Sequence, residues 1–387
     1  MHLGTLLTLP LLAAAVPAAP LSGQAPFQPA SYDPEISIDL DLDDLRLVRF
    51  AENEQPVWVT ELQKIEAKAA GRNFMDITDT PKLGMSRFLR PKKASKHKYA
   101  KPGKQSKEVK SFQKNIDVKH MEKFLTKFTG FKTRYYRSQT GKDSQRFLQA
   151  TLSEISNLHE GGGIKVSEFP HSWGQNSLIV RFPAENPKGP VTIVGAHQDS
   201  TNMWPFLPAP GADDDGSGTT SILEAYKSLA AGNFTSANPV EFHWYSAEEG
   251  GLLGSQAVAK DYEARGVDVN AMIQMDMTAW VKRGTDEVIG IVTDFVDPDL
   301  TSWLSKAVDT YCDIPAVETK CGYACSDHAS WTQAGYQSSF SIESSFEDSN
   351  KNIHSTNDRM DISDEFSIKH MAQFSKLAIA FAVELSA

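Results

Sequence analysis

The sequence predicts an α/β protein whose central, mostly parallel but mixed β-sheet is flanked by helices on both faces. Three observations carry this prediction. Short apolar runs rich in β-branched residues recur along the chain, and segments with apolar residues at helical spacing separate them. The run 191–196 (VTIVGA) is apolar on both faces, which suits a central strand covered by helices. The length of 387 residues, 40% of them hydrophobic, allows a large core.

The individual elements follow from the same patterns. In the segment 143–158, Phe147, Leu148, Leu152 and Ile155 recur at helical spacing. Strands that alternate with such segments are typical of layered α/β folds. Together the patterns predict helices over 143–158, 220–230, 252–266, 299–312 and 364–385, and strands over 176–182, 191–197, 240–247, 271–277, 287–293 and 338–344.

The first residues predict export of the protein. Residues 1–18 combine a short apolar run with small residues, and Val16-Pro17-Ala18 fits the cleavage site of a signal peptide. The apolar run is too short to cross a bilayer, and a buried N-terminal helix is the alternative. We therefore expect a secreted, extracellular protein without a membrane partner, in a compartment that permits disulfides.

Charge is unevenly spread along the chain. Residues 90–110 contain nine Lys or Arg and one Glu, a net charge of +8. Since the whole chain carries −10, the remaining residues carry −18. An acidic body argues against nucleic acid as a partner. The basic stretch is typical of a solvated linker, with polyanion binding as the alternative.

The order of acidic segment, basic linker and large body predicts a processed protein. We expect a prosegment over 19–88, with an approximate boundary, and a mature body over 89–387. The dibasic Lys92-Lys93 offers a processing point, and an ordinary N-terminal subdomain is the alternative. We expect a monomer whose own prosegment is one of its partners.

Cysteines and a sequon add two local expectations. The chain has three cysteines, so one is left unpaired. Cys321 and Cys325 enclose three residues and can pair as a tight loop. A reduced pair or a thiolate metal site is the alternative, although no CxxC partner lies nearby. The sequon at Asn233 predicts a glycosylated surface loop.

Metal-ligand side chains cluster at the ends of the predicted strands, where function gathers in open α/β sheets. They are His197, Asp199, Asp213, Asp214, Asp215, Glu248, Glu249, Asp276 and His354. Taken singly, each has an ordinary alternative. A strand-end histidine is often structural, an Asp run often forms a turn or helix cap, and a Glu pair can be a solvated loop. Asp276 stands in a nearly continuous apolar strand, where a carboxylate needs a partner.

Histidines and carboxylates without thiolates favour zinc, or cobalt or manganese in its place. One catalytic zinc takes three protein ligands plus water. From the larger set above we take five residues as the ligands: His197, Asp214, Glu249, Asp276 and His354. Two ions that share one carboxylate would use all five. Ions about 3.5–4 Å apart can bind a shared hydroxide and polarise a carbonyl. We therefore predict two Zn²⁺ per chain.

Six segments, GAHQDS, PGADDDGSG, YSAEEGGLLGS, QMDMT, CGYACSDHASW and IHSTND, resemble the motifs of the dinuclear-zinc (co-catalytic) leucine aminopeptidases of bacteria and fungi. Their order and approximate spacing agree, and the resemblance covers about residues 110–387. Gly216 stands where relatives often have Ala. The long prosegment makes the chain most similar to the secreted fungal members, which implies a zymogen whose catalytic domain is the body over 89–387.

The resemblance implies a role for each ligand. His197 would bind one zinc, and Asp276 the same ion or the other. Asp214 would bridge both ions, while Glu249 and His354 would complete the second position.

The resemblance also assigns residues around the metals. Glu248 would be the general base, Asp199 would accept the other ring N–H of His197, and Asp215 would lie at a strained peptide after Asp214. A disulfide between Cys321 and Cys325 would present Tyr323 and Ser326 to the substrate. Trp204 is a further candidate for the substrate pocket.

The implied activity is hydrolysis of the N-terminal bond of peptides with an apolar, leucine-type first residue, through a zinc-bridged hydroxide and the Glu248 base. Carboxypeptidases and glutaminyl cyclases are the alternatives on related folds. A carboxypeptidase needs a cation for the substrate carboxylate, and no Arg lies in the motif segments. A non-catalytic relative would have lost ligands or the base. The sequence has neither G-x-S-x-G nor H-E-x-x-H, so a serine hydrolase or a zincin is not supported.

Overall fold

The computed structural model describes residues 38–85 and 96–387. The predicted signal peptide and Lys92-Lys93 lie outside these ranges. The strands are β1 (Leu45–Arg49), β2 (Val57–Thr60), β3 (Met75–Asp76), β4 (Lys165–Phe169), β5 (Ser177–Arg181), β6 (Val191–His197), β7 (Val240–Tyr245), β8 (Val269–Met275), β9 (Ile289–Val292), β10 (Ala316–Thr319) and β11 (Ser338–Ile342). The helices are α1 (Glu61–Ala69), α2 (Ser106–Gln113), α3 (Val118–Phe128), α4 (Gln139–Ser156), α5 (Gly216–Ala231), α6 (Leu253–Arg265), α7 (Pro298–Tyr311), α8 (His328–Ala334) and α9 (Ile368–Ser386).

A mixed eight-stranded sheet forms the centre of the body, in the order β10-β9-β11-β8-β6-β7-β5-β4. The pairs β10–β9, β11–β8, β8–β6 and β6–β7 are parallel. The other three pairs are antiparallel. Every residue of β6, β7, β9 and β11 is buried. The predicted fold class, a mostly parallel mixed sheet between helices, is therefore confirmed.

Helices cover both faces of this sheet. On one face α5 and α9 pack against each other and against β6, and α2, α3, α4 and α7 contribute to the same core. On the other face α6 and α8 bury Tyr262 and Trp331 against the strands. Full burial of a large apolar side chain stabilises the fold by about 1.5–3 kcal/mol. Because both helical layers bury many such side chains against the strands, the positions of the strands are fixed.

Several elements differ from their predicted bounds. Helix α5 begins at Gly216, four residues before the predicted start, because the Asp215 side chain caps it by accepting from the Gly218 N–H. The strands β4 and β10 escaped prediction, since both lie at sheet edges and lack a continuous buried run. Part of the predicted basic linker is folded on the body. The Tyr99 hydroxyl donates to the Asn270 carbonyl at 2.8 Å, and α2 begins at Ser106.

Residues 38–85, here called the N-terminal segment, form a small antiparallel sheet in the order β2-β1-β3 with α1 beside it. The segment packs on the body. The Asp76 N–H donates to the Gly251 carbonyl at 3.1 Å, and Gln256 Nε2 donates to the Asp76 carbonyl at 2.9 Å. Met75 and Ile77 are buried in a shared apolar cluster with the loop that precedes α6. Among the described residues, no helix has the length and apolarity needed to cross a membrane.

Candidate metal centre

The carboxyl ends of three neighbouring strands bring ligand-type side chains together. β6 ends at His197, Asp276 directly follows β8, and Glu249 lies in the loop after β7. Because β6 pairs in parallel with both β7 and β8, these ends meet at one edge of the sheet. Asp214, just before α5, and His354, in the loop after β11, reach the same edge.

The first group of donor atoms surrounds His197. Its Nε2 lies 3.1 Å from Asp214 Oδ1 and 3.6 Å from Asp276 Oδ1. Asp276 Oδ2 accepts a 2.6 Å hydrogen bond from Ser326 Oγ. Asp276 Oδ1 is buried without a hydrogen-bond partner in the described part of the chain. A buried, unpartnered carboxylate oxygen is costly, so a cation in this position would satisfy it.

The second group surrounds His354. Its Nε2 lies 3.0 Å from Asp214 Oδ2 and 3.1 Å from Glu249 Oε2. All three side chains offer donor atoms within 4.8 Å of one another. Asp214 therefore presents Oδ1 to one histidine and Oδ2 to the other.

These donor atoms fit two metal ions. Tetrahedral zinc with bonds of about 2.0–2.2 Å holds its ligand atoms about 3.3–3.6 Å apart. The separations within the two groups, 3.0–3.6 Å, are close to this. Imidazole nitrogens with carboxylate oxygens, and no thiolate, also suit zinc.

Asp215 lies beside the first group and is held by backbone hydrogen bonds. It offers a donor atom within 4.8 Å of His197 and Asp276. Its oxygens, however, already accept from the backbone N–H groups of His197, Gly218 and Met277 at 2.8–3.1 Å. Asp215 thus ties together the ends of β6, α5 and β8, and Asp214 is the better third donor of the first group.

The electrostatics of the site show an excess of negative charge. Burial lowers the pKa of His354, but the Glu249 and Asp214 carboxylates together outweigh burial and raise that pKa to about 9. Burial lowers the pKa of His197 too, but the carboxylates of Asp276, Asp199 and Asp214 together raise it well above its usual value. Burial raises the pKa of Asp276, although His197 opposes this rise. Imidazoles that hold protons this strongly lie in a field that attracts cations.

Glu248 belongs to neither group of donor atoms found among the described residues. It is partly buried and lines the adjoining cavity. Burial raises its pKa well above the usual value, the Glu249 charge adds to the rise, and His197 opposes it. Asp199 holds this pair in place, since its Oδ1 and Oδ2 accept from the Glu248 and Glu249 N–H groups at 3.1 and 3.3 Å. Asp199 Oδ1 also lies 3.5 Å from His197 Nδ1.

Comparison with known proteins identifies the family. The model described as Peptidase family M28 matches residues 177–379, more than half of the chain. This chain belongs to peptidase family M28. Relatives named Leucine aminopeptidase 1 match most of the chain. The Chaetomium globosum protein is 47% identical over 347 residues, 85% of this chain and 82% of its own length. The Neurospora crassa protein is 46% identical over 345 residues, 85% and 83% of the two chains.

Two solved structures share the architecture of this chain. The LapA aminopeptidase of Legionella pneumophila aligns with a TM-score of 0.76 at 32% identity and covers 89% of this chain and 94% of its own. LapB of the same organism aligns with a TM-score of 0.75 at 26% identity, over 88% and 95%. The expected resemblance to fungal leucine aminopeptidases is confirmed. The chain is a hydrolase of the aminopeptidase type.

A cavity of about 260 Å³ opens beside the two donor groups of this M28 peptidase. One wall carries the ligand-type side chains of Asp214, Glu248, Glu249, Asp276 and His354. Another wall is apolar and contains Met277, Cys325, Phe340, Ile342, Phe346 and Ile353, which belong to one apolar cluster. The cavity therefore combines an acidic and an apolar part.

Of the residues expected to contact the substrate, the structure places Tyr323 at the cavity and leaves Ser326 and Trp204 away from it. Cys321 and Cys325 form a disulfide, and Tyr323 between them lines the cavity with its ring 6.4 Å from that of Phe346. Ser326 is fully buried behind Asp276 and bonds to that carboxylate instead of facing the cavity. Trp204 is 39% exposed and does not line the cavity.

The N-terminal segment reaches into the site, a contact that the sequence did not predict. The Lys68 ammonium contacts the Glu249 carboxylate and donates to the Glu249 carbonyl at 3.1 Å. Asn73 and Phe74 line the same cavity. Burial lowers the pKa of Lys68, but Glu249 and Glu248 raise it above its usual value, so the ammonium stays charged. A lysine on a surface helix carries no sequence signal for such a contact.

Asn233 of the predicted sequon is exposed in the turn after α5, with a φ of 57°. Its Oδ1 accepts from the Glu160 N–H at 2.7 Å.

Proposed function

We propose that this enzyme hydrolyses the N-terminal peptide bond of peptides with an apolar, leucine-type first residue, using two zinc ions. His197, Asp214, Glu249, Asp276 and His354 would hold them. The observation that carries the proposal is the carboxylate of Asp214, whose two oxygens each lie about one zinc-ligand separation from a different histidine. When bound, the ions would polarise the substrate carbonyl and lower the pKa of water from 15.7 towards about 7.

Glu248 is the proton carrier in this proposal. Its carboxylate takes a proton from the attacking water and passes it to the nitrogen of the leaving amine. Its raised pKa favours holding that proton between the two transfers. General acid–base help of this kind contributes about 10²–10⁴-fold to the rate.

The contact of Lys68 supports action at a free N-terminus. An ammonium group already lies on Glu249, with Glu248 and Asp214 among the charges that favour it. The α-amino group of a peptide has the same chemistry and fits the same acidic part of the cavity. The apolar wall would then receive the first side chain, which supports the leucine-type preference.

We also propose that the N-terminal segment belongs to a prosegment over 19–88 that keeps a zymogen latent. Lys68, Asn73 and Phe74 take up one side of the cavity that the substrate must enter. Residues 1–18 would be a signal peptide for secretion of a monomer, and the disulfide and the exposed Asn233 suit an oxidising compartment where that residue is glycosylated.

Metal analysis of the processed enzyme, with an assay on leucyl amide and on the same amide with a blocked N-terminus, tests the proposal. We expect about two zinc per chain and hydrolysis of the free amide only. We also expect a chelator to abolish activity and zinc to restore it. One zinc per chain, equal turnover of the blocked amide, or a chelator-insensitive enzyme would each contradict the proposal.

A further inference from the structure

The loop that carries Asp214 is held from one side by a buried carboxylate outside both donor groups. Asp358, the last residue of the IHSTND segment, is 1% exposed. Its Oδ1 accepts from the Asp213 N–H at 2.9 Å, and its Oδ2 accepts from the Asp214 N–H at 3.0 Å. Its carbonyl accepts from the Ala212 N–H at 3.0 Å. Asp358 thus accepts hydrogen bonds from three consecutive backbone N–H groups of the loop.

A buried cation holds the other side of the same loop. The Arg134 guanidinium is fully buried and donates to the carbonyls of Pro210 and Gly211, the latter at 2.8 Å. Its Nε donates to the Gln198 carbonyl at 2.9 Å, one residue beyond the end of β6. Burial lowers the pKa of Arg134 to about 10, and Asp358 is the strongest of the charges that oppose this. The group is therefore charged at neutral pH.

Hydrogen bonds within the protein engage the carboxylates of both neighbours of Asp214. Asp213 accepts from the Ala279 N–H, from Ser217 Oγ and from Asn350 Nδ2 at 3.0–3.1 Å. Asp215 accepts the three backbone bonds described above. Of the three carboxylates, Asp214 is the one that lies beside both histidines, and its direction depends on a backbone fixed through carbonyls on Arg134 and amides on Asp358.

We propose that Arg134 and Asp358 are positioning residues that set the Asp214 carboxylate between the two metal positions. The inference rests on the proposed dinuclear function. Charge-assisted hydrogen bonds are about twice as strong as neutral ones, so two opposite charges can fix a short loop without touching a metal. Because Asp214 serves both groups, loss of either partner weakens both ions together.

Asp358→Asn in the full-length chain is the test. An amide has one acceptor oxygen and one donor NH₂, so one of the two loop N–H groups loses its acceptor and meets a donor. We expect the affinity for both zinc ions to fall by about 10–100-fold, measured by zinc titration of the metal-free chain against a chromophoric chelator. Thermal unfolding of the metal-free chain reports folding separately.

Three comparisons decide the outcome. Asp361→Asn, which changes an exposed carboxylate three residues along, should bind both ions as the unaltered chain does. Glu249→Gln should weaken one ion only. Arg134→Lys keeps the positive charge, but one ammonium group cannot replace the three directed N–H hydrogen bonds of the guanidinium. We therefore expect this variant also to bind both ions more weakly. If Asp358→Asn does not fold, Arg134→Lys serves as the test in its place.

A folded variant that binds both ions normally, or loses only one, overturns the inference alone. Failure of both variants to fold also overturns it, since the pair would then be a folding determinant. A processed, unaltered enzyme that binds fewer than two ions overturns the proposed function and this inference with it.

Discussion

At the scale of single residues, two adjacent glutamates have different surroundings. The Asp199 carboxylate accepts hydrogen bonds from the N–H groups of both Glu248 and Glu249, so their backbone is fixed while their side chains point to different partners. Glu249 faces His354, and His354 lowers its pKa against the effect of burial. Glu248 opens to the cavity with a raised pKa. The split between base and ligand, which adjacency in sequence leaves open, is supported by these contacts.

Glu248→Gln should reduce kcat by about 10²–10⁴-fold while zinc content stays near two per chain, because the amide cannot carry a proton and the donor groups are unchanged. Steady-state kinetics and metal analysis of the processed enzyme measure both quantities. Glu249→Gln is the matched comparison and should lose metal as well as activity. Full activity of Glu248→Gln, or loss of its zinc, would contradict the assignment.

At the scale of elements, α1 positions Lys68 beside the candidate metal centre. Its N-terminus is fixed by Thr60 and Gln63 in a reciprocal capping box, and Lys68 stands in its last turn, where a cation also favours the helix dipole. The strand β3, further along the segment, bonds to the loop before α6. The segment is thus anchored by its backbone, and Lys68 is the residue that contacts the Glu249 carboxylate.

Lys68→Met in the uncleaved chain should raise turnover of leucyl amide by about tenfold, because a hydrogen bond to a charged group contributes about 1.5–3 kcal/mol to the closed form. Lys82→Met, an exposed position of the same segment, is the control and should match the unaltered chain. Equal low activity of both variants would show that Lys68 does not maintain latency.

At the scale of the whole molecule, a buried carboxylate links two strands of the central sheet to a helix that covers it. Glu241 on β7 accepts from Arg181 on β5 at 2.6 Å, from His243 at 2.9 Å and from Tyr262 on α6. Burial raises the pKa of Glu241, but these bonds outweigh it and lower the pKa to about 2. Because the pKa of Glu241 is lower in the folded chain than in the unfolded chain, its carboxylate stabilises the folded chain. This contribution to the free energy of unfolding is fully present above about pH 4.5 and is lost as the pH falls towards 2.

The free energy of unfolding of Glu241→Gln should therefore be about 2–3 kcal/mol lower than that of the unaltered chain at pH 6. This difference, here called the gap, should close as the pH falls from 4.5 towards 2. Urea unfolding at several pH values measures it. Glu160→Gln replaces an exposed carboxylate and should show no gap at any pH. A gap for Glu241→Gln that stays constant down to pH 2.5 would rule out this linkage.

Sequence alone predicted the strands β5 to β9 and β11, the helices α4 to α7 and α9, and the places of the candidate ligands. Continuous apolar runs must be buried, and a polar residue at the end of such a run, such as His197 or Asp276, must lie at the sheet edge. Edge strands such as β10 were missed because their residues are half exposed and show no clear period.

Only the tertiary structure decided which side chains meet. Lys68 contacts Glu249 across 181 residues, and Asp358 binds the Asp214 backbone across 144. Local periodicity specifies which face of an element is buried, but contacts at such separations depend on how the layers pack. The pattern therefore placed the ligands at one edge, and packing alone set the direction of the Asp214 carboxylate between two histidines and gave it Arg134 and Asp358 as supports.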